Sequence, residues 1–485
     1  MKKKFYVTSS IAYTNAPAHV GFSLEVIQAD VIARYHRLLG EDVFFLTGTD
    51  EHGQKNVKAA KEAGKSPKEF ADEISENFRK LTKTLNLSNN DFIRTTDQKR
   101  HWPTVKKIWL KLKENGDIYR KKYKGLYCVG CEAFIKEKDL VGRKCQYHKT
   151  KPEIVEEENY FFKLSKYAPR VKKAIEANKI KIIPVARKNE ILSFIAQGIE
   201  DVSCSRSRKN LKWGIPVPDD DRQTIYIWLE ALFNYLFPKK YWPADVHCLG
   251  KDIFRFHALL WPAVLLSLKL SLPKTIFVHG FITSDGQKMS KSLGNVIDPF
   301  KLVKKYGTDP VRYFLLREIP STEDGDFTYE KFEKRYNADL ASGLGNLVAR
   351  VITLAEKSQT ELSFMEAKVK KRTNSSSLVQ IINSKQIPIS KFQKQYKKAL
   401  DDFKFNEALI AVWELISWCD RYIEKEKPWS FDPAQDKQKQ KDIIGNLLFS
   451  LQEIANLLQP FLPETSEKIL HQLKTQKSKP LFPRI

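Results

Sequence analysis

Two short segments far apart in the chain carry residue types suited to holding phosphate. The first, AHVG, contains His19 and Gly21 where a strand-like segment gives way to a helical one. The second, KMSKS, contains Lys288 and Lys291 and follows the last strand-like segment. An imidazole at a helix start favours an anion, a glycine permits close approach, and lysines supply positive charge. Together the segments predict a site that binds phosphate groups and neutralises their charge.

Three cysteines and one histidine form a second cluster, with the spacing of metal ligands. Cys128 and Cys131 make one two-residue hook, and Cys145 and His148 make another after thirteen intervening residues. Three thiolates and one imidazole suit tetrahedral Zn²⁺. Because four ligands from one short segment leave no open position for water, the spacing predicts one structural zinc site.

Length, charge and cysteine usage limit the class of protein. A chain of 485 residues predicts several compact units, and a net charge of +25 favours an anionic partner, either nucleic acid or a membrane surface. The longest apolar stretch, residues 258–268, is well short of the roughly 20 residues that span a bilayer. No apolar signal-peptide core follows the basic N-terminus, and six cysteines do not make a disulfide scaffold. We therefore expect no membrane partner and a reducing cytoplasm.

The elements around the phosphate-binding segments indicate a parallel α/β sheet. Residues 5–11 and 42–47 are short and rich in β-branched and aromatic residues, and residues 24–39 between them have helical spacing. Strand-like segments recur only at residues 246–249 and 275–278, so an insertion containing the Cys/His cluster is expected to split the sheet. Helical periodicity dominates the C-terminal third.

The predicted fold class is α/β: a split Rossmann-like parallel sheet with an inserted zinc-knuckle connective domain, followed by an α-helical bundle. The predicted divisions are residues 1–115 for the first half of the catalytic domain, 116–224 for the insertion, 225–285 for the second half, 286–340 for a linker region with the lysine loop, and 341–485 for the helical domain.

In this order and on this framework, AHVG resembles the nucleotide-binding signature of class I aminoacyl-tRNA synthetases, and KMSKS is identical to the mobile catalytic loop of that family. Within the class, residues 5–53 and 225–350 resemble the methionyl-tRNA synthetases. The resemblance implies activation of methionine with ATP and Mg²⁺. It also implies transfer of methionine to the initiator and elongator methionine tRNAs, which have a CAU anticodon.

The same resemblance implies roles for individual residues. It implies a methionine pocket of Ser10, Ile11, Tyr13, Asp50, Trp228, Ala231, Tyr235, Ile253 and His257, and an ATP site of His19, Gly21, Gly250, Asp252, Lys288 and Lys291. The implied catalytic residues are His19, Lys288, Lys291 and Arg206. Asp50 would pair with the substrate ammonium and Asp252 would bind the ribose, although Asp252 also suits a helix cap and Arg206 a surface position. A mostly apolar and aromatic pocket suits a thioether, with Tyr13 and His257 offering a polar contact to sulfur.

In the helical domain the resemblance implies anticodon contacts by Asn346, Arg350 and Trp429. Asn346 and Arg350 are four residues apart, so a helix places them on one face. Trp429 would stack on a base, and a core anchor is the alternative for this side chain. The sequence lacks the additional oligonucleotide-binding barrel of dimeric relatives, which predicts a monomer.

Two positions depart from the pattern of the family. Phe22 stands where a second histidine or a polar residue is usual, and phenylalanine cannot donate to a phosphate. Leu232 stands where some relatives have proline, which is a conservative change. A non-catalytic tRNA-binding descendant of a synthetase is therefore kept as an alternative, as is a class I synthetase for cysteine or an aliphatic amino acid.

Overall fold

A computed structural model describes residues 2–130, 133–135, 137, 140–146, 149–289, 294–361, 387–432 and 435–485. The chain divides into two compact units. Met1–Lys83 with Leu87–His279 form the first unit, and Thr84–Asn86 with Gly280–Ile485 form the second. Among the described helices, none combines the length and the apolar character needed to cross a membrane.

The strands of the first unit are β1 (Lys4–Tyr13), β2 (Asp42–Asp50), β3 (Asp91–Arg94), β4 (Ile118–Cys128), β5 (Ala133–Ile135), β6 (Leu140–Val141), β7 (Lys144–Cys145), β8 (Glu153–Phe162), β9 (Lys181–Ile183), β10 (Val202–Ser203), β11 (Ser205–Ser207), β12 (Pro216–Val217), β13 (Asp220–Ile225), β14 (Val246–Gly250) and β15 (Thr275–His279). Its helices are α1 (Val20–Leu38), α2 (Gln54–Glu62), α3 (Pro67–Thr84), α4 (His101–Glu114), α5 (Leu164–Glu176), α6 (Val185–Ala196), α7 (Ile227–Leu232) and α8 (Trp261–Ser267). A 3₁₀ turn at Phe233–Leu236 follows α7, and a π-helical turn at Phe256–Leu260 leads into α8.

Six strands form one parallel sheet in the order β3-β2-β1-β14-β15-β9, so the predicted split parallel sheet is confirmed. The central strand β1 pairs with β2 on one side and β14 on the other, and Val7 lies opposite both Phe45 and Val246. Its near-continuous run of apolar and β-branched residues is typical of a strand covered on both faces. The chain order reverses between β1 and β14, and a ligand crevice is expected at the carboxyl ends of strands at such a point.

Residues 116–224, predicted as a separate insertion, fold in two parts. Most of the strands form small antiparallel sheets, with the orders β10-β8-β4-β5, β11-β13-β12 and β6-β7. In contrast, β9 pairs in parallel with β15, and Lys181 lies opposite Thr275. Helix α5 also packs against α8. Part of this stretch therefore extends the main sheet, which the sequence pattern did not predict.

The second unit contains the predicted helical region, together with a small sheet that was not predicted. Its strands, in the order β17-β16-β18, are β16 (Ile282–Ser284), β17 (Gln287–Lys288) and β18 (Gly325–Phe327). Its helices are α9 (Pro299–Tyr306), α10 (Thr308–Arg317), α11 (Tyr329–Arg335), α12 (Asn346–Ser358), α13 (Ile389–Asp401), α14 (Phe405–Glu426), α15 (Lys437–Leu458) and α16 (Pro463–Thr475), with a π-helical turn at Tyr336–Gly345.

A buried arginine fastens α10 to the connection between α15 and α16. The guanidinium of Arg312 donates to the carbonyl oxygens of Leu85, Pro460 and Phe461 at 3.0, 3.0 and 2.7 Å. Because a buried charge without hydrogen-bond partners is costly, these three acceptors allow the side chain to lie in the core of the second unit.

Candidate active site

The carboxyl ends of β1, β2 and β14 bring predicted site residues to one edge of the sheet. Tyr13, the last residue of β1, lies opposite Asp50, the last residue of β2. Gly250 ends β14 on the other side of β1. This edge is the crevice expected from the reversal of strand order, so the fold places candidates for methionine and for ATP side by side.

His19 is the N-cap of α1, and its ring geometry suits phosphate binding. Its Nδ1 accepts the backbone N–H of Gly21 at 3.1 Å. Because a backbone N–H can only donate, Nδ1 of a neutral ring carries no proton, and the ring proton is on Nε2. A donor is therefore present on the side of the ring opposite the cap, as a phosphate contact requires.

Glu25 organises the end of β1, although the sequence pattern gave it no role. The pairing register of β1 with β2 shifts between Thr8 and Ile11. Within this irregularity, the N–H and the hydroxyl of Ser10 donate to Glu25 Oε1 at 2.7 and 2.6 Å. The other carboxylate oxygen lies 3.1 Å from His279 Nε2, at the end of β15. Glu25 thus joins α1, β1 and β15 beneath the nucleotide candidates.

Gly250 leaves room for the carboxylate of Asp252. A Cβ atom at position 250 would lie 2.9 Å from Asp252 Oδ1 and 3.6 Å from Cε1 of His279. A side chain at this position would displace the short Asp252 side chain, so the close approach requires glycine. A ribose site that uses the carboxylate of Asp252 therefore requires glycine at position 250.

Aromatic rings form one wall of the candidate methionine pocket. Trp228 of α7 stacks on Phe256 with ring centroids 4.1 Å apart and an interplanar angle of 6°. The ring of Tyr13 lies 6.5 Å from that of Trp228. Phe256 was not predicted as a site residue, and nothing in its spacing distinguishes it from a core aromatic. Stacked rings present edges and faces that suit a polarizable thioether.

Tyr235 and His257 form a neutral, buried pair at the same pocket. His257 Nδ1 lies 3.0 Å from the carbonyl oxygen of Ile253, which can only accept, so Nδ1 carries the proton. His257 Nε2 consequently accepts from the Tyr235 hydroxyl at 2.8 Å. Burial lowers the pKa of His257 to about 4. The neutral imidazole therefore has its only N–H committed to the backbone and offers sulfur no donor in this arrangement.

Asp50 is the last residue of β2, and hydrogen bonds hold the loop that follows it. Its side chain is buried, and its carbonyl oxygen accepts from the backbone N–H of Thr14 at 3.1 Å. The next residue, Glu51, takes two hydrogen bonds from the guanidinium of Arg94 at 2.7 and 2.8 Å and one from the Thr49 hydroxyl at 2.6 Å. These partners were not predicted, and they hold the loop that presents the candidate ammonium partner.

Lys288 lies on a hairpin in the second unit. Asp285 and Gly286 both have positive φ, 52° and 72°, as the two-residue turn between β16 and β17 requires. The N–H of Gly286 donates to Asp326 Oδ1 at 2.8 Å, which fixes the turn. Lys288 is exposed at the end of β17, and Lys291 lies outside the described residues. An exposed lysine on a hairpin suits a mobile positive charge.

Comparisons with known proteins agree with this arrangement. The family model described as tRNA synthetases class I (M) matches residues 5–143 and 131–352, and the model described as anticodon-binding domain of tRNA ligase matches residues 388–483. A methionine–tRNA ligase of Caldanaerobacter subterraneus subsp. tengcongensis is 43% identical, with 98% of this chain and 74% of the relative covered. A methionine–tRNA ligase of Thermotoga maritima is 40% identical, with 98% and 76% covered. The chain belongs to the methionyl-tRNA synthetase family.

A solved structure supports the same assignment. Mycobacterium tuberculosis methionyl-tRNA synthetase in complex with methionyl-adenylate has a TM-score of 0.88 and 36% identity, with 98% of this chain and 95% of that chain covered. Family membership at this identity supports a catalytic methionyl-tRNA synthetase over a non-catalytic RNA-binding descendant. It also excludes the alternative that the chain is a class I synthetase for cysteine or an aliphatic amino acid.

Arg206, implied to be catalytic by the resemblance to methionyl-tRNA synthetases, has structural contacts in the insertion. Its Nε lies 3.3 Å from Glu157 Oε2, and its guanidinium lies over the rings of Tyr127 and Phe134, with distances of 3.9 and 5.3 Å to their centroids. The side chain is buried. These contacts account for the arginine by packing, and its catalytic role remains a prediction.

Two of the four predicted zinc ligands are described. Cys128 ends β4 and Cys145 ends β7, and both side chains are almost fully buried. Cys131 and His148 lie outside the described residues. Two buried thiols that each begin a two-residue hook fit the donor set expected for zinc in the insertion of this synthetase.

The three predicted anticodon contacts lie in the helical region of the second unit, two on α12 and one just after α14. Asn346 is the first residue of α12, and Arg350 follows on the same helix. Arg350 lies 2.5 Å from Glu424 Oε1 and 3.7 Å from Asp420 Oδ1, near the end of α14. Trp429 follows that helix and is 53% exposed, so its ring is not a core anchor. The ion pairs place Arg350 beside the end of α14, and Trp429 is three residues past that end.

Proposed function

We propose that the first unit binds methionine and ATP at the carboxyl ends of β1, β2 and β14 and forms methionyl-adenylate there. The observation that carries this proposal is the meeting of Asp50, Tyr13 and Gly250 at one edge of the sheet. Buried Asp50 holds the substrate ammonium. The wall formed by Trp228 and the neutral Tyr235–His257 pair surrounds the thioether side chain.

In the proposed first step the methionine carboxylate attacks the α-phosphorus of ATP, a carboxylate–phosphorus bond forms, and pyrophosphate leaves. His19 donates from Nε2 to the phosphates, and Lys288 with Lys291 neutralises the charge that accumulates on them. Mg²⁺, carried by the phosphates, would supply further positive charge. In the second step a ribose hydroxyl of the tRNA end attacks the methionyl carbonyl carbon, and AMP leaves.

Phe22 has a packing role at the position where a second phosphate donor is usual. Its ring meets Phe78 edge to face with centroids 5.0 Å apart, so it helps α1 pack on α3. His19 and the loop that carries Lys288 and Lys291 therefore make the phosphate contacts. The charging of methionine tRNA by the purified protein, followed with radiolabelled methionine, tests whether these contacts suffice for the complete reaction.

We also propose that Cys128, Cys131, Cys145 and His148 hold one structural zinc ion. Cys145→Ala is expected to abolish zinc binding and to destabilise the insertion by about 2 kcal/mol or more, lowering its melting temperature by about 8–16 °C or more. Elemental analysis and thermal unfolding measure the two effects. Cys204→Ala, which removes another buried thiol of the same insertion, is the control and should retain one zinc per chain. Wild-type protein that is free of metal and equally stable with a chelator would contradict the site.

We further propose that Asn346, Arg350 and Trp429 read the CAU anticodon. Because stacking on an aromatic ring is worth about 1–3 kcal/mol per base, Trp429→Ala is expected to raise KM for tRNA by about 5- to 150-fold. Pyrophosphate exchange, which needs no tRNA, should be unchanged. Tyr329→Ala, at a similarly exposed aromatic residue of the second unit, is the control. An unchanged KM for tRNA in the Trp429 variant would remove this residue from the interface.

We further propose that the enzyme is a monomer that acts in the reducing cytoplasm. Its divisions are residues 1–115 and 225–285 for catalysis, 116–224 for the connective insertion, 286–340 for the linker region and 341–485 for the anticodon. The pairing of β9 with the main sheet supports counting part of the insertion with the catalytic halves.

A further inference from the structure

A buried carboxylate bridges two histidines in the first unit. Glu230 Oε1 lies 2.7 Å from His52 Nδ1, and Glu230 Oε2 lies 2.7 Å from His101 Nε2. Glu230 is fully buried, and each imidazole is about 2% exposed. A carboxylate so far from water is costly unless both oxygens are hydrogen-bonded, and here each oxygen has an imidazole N–H as its donor.

The three side chains come from three separate elements that border the methionine pocket. His52 lies two residues after Asp50, in the loop that follows β2. Glu230 lies on α7 between the pocket residues Trp228 and Ala231. His101 begins α4. The carboxylate therefore ties the loop that carries the ammonium partner to the helix that carries the aromatic wall.

Two tryptophans also hold the loop that follows β2, so the ring of His52 has little freedom to rotate. The ring of His52 lies 5.5 Å from that of Trp213 and 6.0 Å from that of Trp102. Trp213 Nε1 donates to the carbonyl oxygen of Glu51 at 2.6 Å. Aromatic packing restricts the ring plane, and the bond to Glu230 sets the direction in which it points.

Charge and protonation agree with this geometry. Burial raises the pKa of Glu230, and the two imidazoles lower it by more than burial raises it, so the carboxylate is ionised. An ionised carboxylate can only accept, which places a proton on Nδ1 of His52 and on Nε2 of His101. A glutamine at position 230 would offer one acceptor oxygen where the two histidines need two.

We propose that Glu230 is a positioning residue of the methionine site: through His52 it fixes the loop of Asp50 against α7, and so sets the distance between the ammonium partner and the aromatic wall. The inference rests on the proposed role of Asp50. It predicts that Glu230 controls the binding of methionine and leaves the binding of ATP unchanged, because the loop after β2 and α7, which it joins through His52, carry the methionine-pocket candidates Asp50, Trp228 and Ala231.

The test compares Glu230→Gln with wild type in methionine-dependent pyrophosphate exchange. Leaving one buried imidazole N–H without an acceptor is expected to raise KM for methionine by about tenfold or more. KM for ATP should change by less than about twofold. Asp117→Asn is the matched control, because Asp117 is an equally buried carboxylate that joins elements of the same unit through Lys166 and Ser267. It should lower the melting temperature and leave KM for methionine unchanged.

Three outcomes would overturn the inference: an unchanged KM for methionine in Glu230→Gln, parallel rises in KM for methionine and for ATP, or the same rise in Asp117→Asn. If the glutamine variant does not fold, Glu230→Asp serves instead. It keeps the charge but is too short to reach both histidines, so KM for methionine should still rise, and an unchanged KM overturns the inference. Wild-type protein without any methionine-dependent exchange would refute the proposed function itself.

Discussion

Asp50→Asn is expected to lower kcat/KM for methionine in the activation step by about 30- to 5,000-fold, because removing one partner of a buried charge pair costs about 2–5 kcal/mol. The side chain is only 2% exposed, so the substrate ammonium loses water when it binds beside it. Asparagine keeps the shape of the side chain and removes the charge. The loop should remain in place, because Thr14 and Asn56 donate to the carbonyl oxygen of Asp50, which the substitution does not change.

The control for this variant lies at the other end of the same strand. Asp42→Asn makes the same change at the first residue of β2, where the carboxylate accepts from the Tyr241 hydroxyl at 3.0 Å. It should leave kcat/KM for methionine within about twofold of wild type. Pyrophosphate exchange at varied methionine measures both variants. A value for Asp50→Asn within threefold of wild type would show that another group holds the ammonium.

Lys288→Ala is expected to lower kcat for activation by about 100- to 1,000-fold, the usual cost of removing one group that stabilises charge in a transition state. KM for methionine should stay near the wild-type value, because the lysine acts on the phosphates. The side chain is exposed on a hairpin whose turn is fixed by Asp326, so the substitution should not disturb folding.

Single-turnover formation of adenylate measures this effect without product release. Lys301→Ala removes an exposed lysine from the same unit and serves as the control for net charge. A fall in kcat of less than fivefold for Lys288→Ala, with Lys291 intact, would show that the hairpin lysine does not neutralise the phosphates. An equal fall in both variants would point to a general effect of charge.

Local patterns in the sequence predicted the main sheet well. The segments 5–11, 42–47, 246–249 and 275–278 correspond to β1, β2, β14 and β15, each extended in the structure by one to three residues. Their apolar runs are the mark of strands buried on both faces. The short strand β9 was placed in the insertion, because three residues carry no sign of which sheet they join. Its pairing with β15 is a long-range contact that only the fold reveals.

The candidate site also contains residues that the sequence predicted and residues that it did not. The sequence motifs gave the positions of His19, Asp50 and Lys288, since each stands in a recognisable segment. The residues that hold them had no such signal. Glu230 lies 178 positions from His52 and 129 from His101, and no spacing in the chain relates the three. The residues that orient a binding site are brought together only by the tertiary structure. Sequence patterns therefore reveal the groups that contact substrate before they reveal the groups that orient them.

The most direct test of the central claim is amino-acid-dependent exchange of pyrophosphate into ATP by the purified chain, with methionine, cysteine, leucine, isoleucine and valine compared. The predicted result is strong exchange with methionine, little with the other four, and a loss of the methionine signal in Asp50→Asn. This result would establish the pocket, the nucleotide site and the adequacy of His19 beside Phe22 in one assay. Absence of exchange with every amino acid, in protein that is folded, would contradict the account.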